Sequence, residues 1–267
     1  MWNSDDLAAL RSRFGTASGG AMETRAYQRI ADLIFKDGDR REFPYACFPT
    51  LLGTPALNLV ESPERLGALQ VALLGIPMDL AVTNRAGSRF GPRALRTVER
   101  IGPYNDALAC APVHEMRVAD IGDVPFRSRF DLATSHEDIE RHIGRIVDAG
   151  VIPLSVGGDH SISHPILKVL GRHGPVGMIH IDAHCDTGGV YEGERFHHGG
   201  PFRNAVLDGV LDPTRTIQIG IRGSAEYIWE FSRISGMTVI PAREISGLGL
   251  PAIIEKARAV VGDGPTY

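Results

Sequence analysis

Cysteine is scarce in this chain: Cys47, Cys110 and Cys185 are the three present. An odd, widely spaced trio builds no disulfide framework, and its simple reading is a reduced, cytoplasmic compartment. Long apolar runs are missing too, since no stretch reaches the roughly 20 residues that cross a bilayer. The opening residues, Met-Trp-Asn-Ser-Asp-Asp, lack the basic start and apolar core of a secretory leader. Neither sign of charge is in excess. A net charge of −4 gives no electrostatic case for nucleic acid or an anionic membrane as a partner. No internal repeat, low-complexity tract or clean linker interrupts the chain.

What is present is an ordinary globular composition, 43% hydrophobic and 22% charged over 267 residues. That length fits one large α/β domain with a sizeable core. Residues 1–62 read as a helical and irregular arm. Amphipathic helices are expected over 5–13 and 24–35, before Pro44, Pro49, Gly53 and Pro55 break the pattern. From 63 to 267 the pattern alternates. Apolar strands are expected over 69–76, 116–121, 151–156, 176–181, 216–221 and 237–240. Helices are expected over 131–149, 161–170, 225–232 and 251–261. Near-continuous apolar strands alternating with helices predict a three-layer α/β/α fold with a mostly parallel sheet. In such sheets ligands collect beyond the carboxyl ends of the strands.

The polar clusters fall at those ends. Asp182, His184 and Asp186 alternate in His180-Ile-Asp182-Ala-His184-Cys-Asp186-Thr187, just after the apolar run 176–181. Side chains two apart on a strand point the same way, so two carboxylates and an imidazole should converge. Two bare carboxylates that close would repel until one took a proton. A divalent cation removes the conflict, and mixed carboxylate and imidazole ligation suits manganese, iron, nickel or zinc. Cys185 has the opposite parity and reads as a small core residue.

Gly157-Gly158-Asp159-His160-Ser161 follows the expected strand 151–156. The glycines permit a tight turn, and Asp159 or Ser161 can cap the next helix. His160 then stands beside the carboxylate run as a further candidate ligand. Phe196-His197-His198-Gly199-Gly200-Pro201 places adjacent histidines on a loop, as additional ligands or as a proton shuttle. The segment from Asn84 to Arg96 reads as a loop entering a helix with Pro92 in its first turn. Its arginines are expected to pair with carboxylates that frame the site or a subunit contact.

Taken together, these motifs resemble the ureohydrolase family of arginases, agmatinases and guanidino-acid hydrolases. The likeness runs from about residue 69 onward and rests on 157–161, 181–187, 197–199 and 84–92. It is closer to agmatinase-like guanidino-compound hydrolases than to arginases. Arginase-like chains carry an asparagine two residues after the last aspartate of the run, where this chain has Gly188.

The resemblance implies an arginase-like fold and hydrolysis of a guanidino compound, agmatine or a guanidino acid, to urea and an amine. It implies two Mn2+ ions, with Ni2+ as the alternative. His160, Asp182 and Asp186 would hold the first ion, and His184 with Asp182 as a bridge the second. His198 matches the family's proton-shuttling histidine. A homo-oligomer, trimer or hexamer, is implied as well. The family pattern continues into a Ser-Phe-Asp-Ile-Asp-like strand with two further ligands, whereas this sequence closes on Gly264-Pro-Thr-Tyr267. The resemblance therefore implies a chain cut before its last metal-ligand motif, with its C-terminal strands missing and its activity in doubt. Two other readings stand beside it: a truncated, non-catalytic subunit of a ureohydrolase-like oligomer, and a mononuclear zinc deacylase of related fold. Substrate-binding residues are not identified. Specificity is expected from the arm near 48–58, the loop 188–195 and the absent C-terminal part.

Overall fold

Nothing polar interrupts residues 71–76, and they form the central strand β1 (Val71–Ile76), buried from Ala72 onward. The computed structural model describes residues 4–15, 25–34, 48–98, 104–223 and 226–267. β1 lies between β2 (Val118–Asp123) and β3 (Ile152–Gly157), parallel to both. A second sheet holds β4 (Val176–Ile181), β5 (Leu211–Ile221) and β6 (Thr238–Pro241) in that order, again all parallel. Parallel neighbours need long crossovers, and helices supply most of them.

In chain order the helices are α1 (Ser4–Phe14), α2 (Arg25–Ile34), α3 (Gly91–Arg96), α4 (Pro112–Glu115) and α5 (Leu132–Asp148). They continue with α6 (Ser163–Leu170), α7 (Pro201–Leu207), α8 (Glu230–Ile234), α9 (Ala242–Leu248) and α10 (Leu250–Val261). Strand alternation sorts the core into layers. Ala72, Leu74 and Ile76 of β1 pack with Ile139, Ile143 and Ile146 of α5, while Leu73 packs with Leu51 and Leu95 on the other face. In the second sheet Val176 and Met178 meet Phe202 and Ala205 of α7, and Ile217 and Ile219 meet Ile253, Ala257 and Val261 of α10. The fold is α/β/α, as expected. Each such large apolar side chain contributes roughly 1.5–3 kcal/mol on burial.

Local signals set most boundaries. Asp131 caps α5 by accepting from Thr134 N at 2.6 Å, and the helix gives way at Gly150, whose φ is +74. β4 has the expected bounds. α7 was not expected, because Gly199-Gly200-Pro201 reads as loop; the proline instead occupies the first turn, where its missing N–H costs nothing. The expected helix 225–232 is a 3-10 turn followed by α8. In the arm, α1 and α2 form, while Thr24, Phe35, Pro44 and Cys47 lie outside the described residues. Its last part is tied down: Leu51 N donates to Asp120 Oδ2 at 2.8 Å and Leu57 N to Asp120 O at 2.9 Å.

The outer sides of β3 and β4 differ. Among the described residues β3 pairs with β1 alone, leaving Ile152 and Leu154 exposed. On β4, residues 265–267 run alongside, with Gly177 N donating to Pro265 O and Tyr267 N to Gly177 O, both at 2.9 Å. No helix among the described residues is long and apolar enough to cross a membrane.

Candidate metal centre

Glycine brings the ends of β1 and β3 together. Gly158 has a φ of +67, and a Cβ there would sit 2.5 Å from both Ile76 O and Met78 O. Only glycine tolerates that conformation and that approach. Asp159 then ties the two loops, accepting from Ala81 N at 3.0 Å and from Ser161 N at 2.9 Å. This second bond caps the 3-10 turn 160–162 and settles which of the two candidate caps is used. His160 is thereby aimed at the end of β4, where its Nδ1 lies 2.6 Å from Asp186 Oδ2 and 3.5 Å from Asp182 Oδ2.

The carboxylates arrive by a different route from strand alternation. The ladder between β4 and β5 extends past Ile181, with Asp182 N donating to Ile219 O at 3.1 Å and Arg222 N to Ala183 O at 2.7 Å. The chain then turns, and Asp186 takes a φ of +48. That turn keeps Asp182 and Asp186 together but swings His184 outward. The His184 side chain is 75% exposed, with Nδ1 3.7 Å from Asp182 Oδ1. His180, not singled out from the sequence, occupies the inner side instead. One nitrogen or oxygen from each of His160, His180, Asp182 and Asp186 falls within 4.8 Å of all the others. The signal available in the sequence was parity: His180 stands two residues before Asp182 on the same strand.

Charge at this point is balanced by imidazole only. Among the described residues no lysine or arginine pairs with Asp182 or Asp186. His180, whose Nε2 faces it at 3.4 Å, is the largest influence on Asp182; with the His184 N–H and against burial, it holds the carboxyl well below the usual range. Burial pulls the His160 pKa down, but the bond to Asp186 and the charges of Asp186, Asp182 and Asp159 together leave it raised. Two carboxylates and imidazoles in this arrangement fit a divalent cation of the manganese-to-zinc series.

The adjacent histidines separate in role. His197 Nε2 donates to Gly189 O at 2.7 Å and its Nδ1 accepts from Gly199 N at 3.2 Å, so it pins its own loop. His198 faces a cavity of about 330 Å³ that it lines with Thr83, Asn84, Arg85 and His160. Its backbone N donates to Ala81 O at 3.1 Å, and Thr83 Oγ1 lies 2.9 Å from its Nε2. Thr83 carried no sequence signal, being a lone hydroxyl in a loop. Two of the four neighbouring arginines pair with carboxylates: Arg89 with buried Asp79, and Arg96 with Asp120 at 2.7 Å and Asp123 at 2.6 Å. Cys185 is buried against Ile221 and Trp229, and burial pushes its thiol up to about 11. A wider groove of about 600 Å³ between α5 and α6 is lined by ions that pair with one another, such as Lys168 with Glu140.

The model of the arginase family matches residues 69–267. The chain belongs to the arginase family. A guanidinopropionase of Pseudomonas aeruginosa is 44% identical over 234 residues, covering 86% of this chain and 71% of that protein. A mitochondrial agmatinase of Gallus gallus is 41% identical over 207 residues, covering 74% of this chain and 59% of that protein. Among arginase-family structures, a proclavaminate amidino hydrolase from Streptomyces clavuligerus superposes with a TM-score of 0.75 at 30% identity, over 85% of this chain and 74% of that one. The chain thus spans about three fifths to three quarters of the length of these proteins.

Proposed function

We propose that this arginase-family chain hydrolyses a guanidino compound to urea and an amine at a centre of two Mn2+ ions, with Ni2+ as the alternative. The observation that carries the reading is the meeting of His160 with Asp182 and Asp186 at adjoining strand ends, with no lysine or arginine among the described residues to neutralise the carboxylates. His160, Asp182 and Asp186 would hold one ion; His184 and a shared Asp182 would hold the other. The chemistry such cations supply when bound is activation of water at neutral pH for attack on the guanidinium carbon. The chain's own residues do the rest. His198, beside His160 on the cavity wall, holds the proton that the leaving nitrogen needs, and Thr83 fixes its ring. The cavity takes the guanidinium end first, and its rim at Asn84 and Arg85 meets the distal end.

The substrate is agmatine or a guanidino acid, a range that the relatives' names also cover. The protein works as a homo-oligomer, a trimer or hexamer, in the cytoplasm. The test is urea release from agmatine, 3-guanidinopropionate and 4-guanidinobutyrate by chelator-stripped protein, with Mn2+ or Ni2+ restored. Metal-dependent urea from one of them, at two ions per chain, is expected. Stoichiometric binding of a single zinc ion without urea release would favour the deacylase reading instead.

A further inference from the structure

Two buried polar side chains behind the centre have no part in the reading above. His180 on β4 is 6% exposed, and Gln218, directly opposite it on β5, is fully buried. The Gln218 amide nitrogen lies 2.6 Å from Cys185 O and 3.2 Å from His180 Nδ1. A carbonyl oxygen can only accept, so the short contact fixes which end of the amide is nitrogen. Its second hydrogen goes to His180 Nδ1, which must therefore accept. A neutral imidazole has one N–H, and here it must be on Nε2. That nitrogen is buried with no partner in ordinary hydrogen-bond geometry, and it faces Asp182 Oδ2 at 3.4 Å. Position alone would make His180 a ligand, but a protonated nitrogen has no lone pair to give a cation.

We infer that His180 is a positioning residue: Gln218 sets its tautomer, and its Nε2–H holds the Asp182 carboxylate in the orientation that takes a metal. The inference rests on the proposal that Asp182 binds a cation. The rest of the carboxylate is already constrained, since Oδ1 accepts from His184 N at 2.9 Å. The Phe202 ring packs across the His180 imidazole with centroids 4.5 Å apart and fixes its plane. Partners of this kind, which orient a metal's ligands, typically cost about 10–100-fold in metal affinity when removed.

The test begins with two-bond proton–nitrogen correlation spectra of the histidine rings, in the metal-free protein and with diamagnetic Zn2+ or Cd2+ added. His180 should show the Nε2–H form in both states, and Gln218→Met should mix the two tautomers. Mn2+ affinity, followed by electron paramagnetic resonance, should fall about 10–100-fold in His180→Phe. It should recover in part in His180→Gln, which keeps an N–H donor. An Nδ1–H ring in the metal-free protein overturns the inference without reference to any metal. So does loss of the Nε2 proton on cation binding, or unchanged affinity in a folded His180→Phe. A parent chain that binds no divalent cation sinks the metal centre itself, an outcome distinct from the wrong tautomer.

Discussion

Asp182 is the side chain on which three histidines of the site converge. His160 reaches it at 3.5 Å, His180 at 3.4 Å, and the His184 backbone N–H at 2.9 Å. Asp182→Ala should therefore remove divalent binding and take urea release to background; metal content by atomic absorption alongside a urea assay checks this, and retained activity refutes the assignment. His198 sits outside that group, on the cavity wall against Thr83. Its replacement in His198→Ala should slow turnover by about 100-fold or more while metal content stays at the parent level. A loss of metal would make it a ligand instead. Spacing pointed to Asp182, Asp186 and His160, which lie in polar clusters after apolar strands, and to His198 as one of two adjacent histidines on a polar loop. Spacing did not show that His184 stands apart from the other three, 75% exposed, because strict alternation ends where the backbone turns toward Asp186. It missed His180 because a histidine inside an apolar run looks like core until a partner strand puts Gln218 beside it.

At the level of elements, α5 is bound to the loop after β3 through a buried histidine. His136 Nε2 lies 3.1 Å from Ser161 Oγ, and its ring meets Phe196 edge-on. Burial first, then the charges of His164 and Lys168, pull its pKa from 6.5 down to about 3. Burial acts in the same direction on His142 and His164. Below about pH 6.5 the unfolded chain takes up a proton that native His136 refuses until about pH 3. Its stabilising effect is thus full above pH 6.5 and is lost progressively as the pH falls toward 3. At pH 5 the loss from this residue should be on the order of 2 kcal/mol. His136→Gln should flatten that part of the stability profile, read from urea midpoints at a series of pH values; an unchanged slope would count against the burial of a neutral ring. The sequence showed α5 as a helix over 131–149, close to its observed bounds. It did not show α7, whose start depends on a proline that ends helices as readily as it begins them.

For the whole molecule the telling feature is exposed apolar surface on two strands, β3, whose outer edge is unpaired among the described residues, and β4. Ile152 and Leu154 on β3, and Ile179 and Ile181 on β4, are exposed although their strands belong to parallel sheets. Parallel strands are ordinarily covered on both faces, and a free apolar edge invites pairing with another chain. Leu154→Lys should lower concentration-dependent association in sedimentation velocity without moving the thermal midpoint; unchanged association would place the contact elsewhere. By itself the sequence determined the α/β order, the parallel sheet and the strand ends at which polar groups collect. Those features depend on hydrophobic period and on glycine, both local along the chain. Only the tertiary structure decided that His180 turns inward and His184 outward, that Asp159 joins two loops, and that Thr83 holds His198. These contacts join residues on different segments, or depend on a single backbone turn, and neither has a period to read.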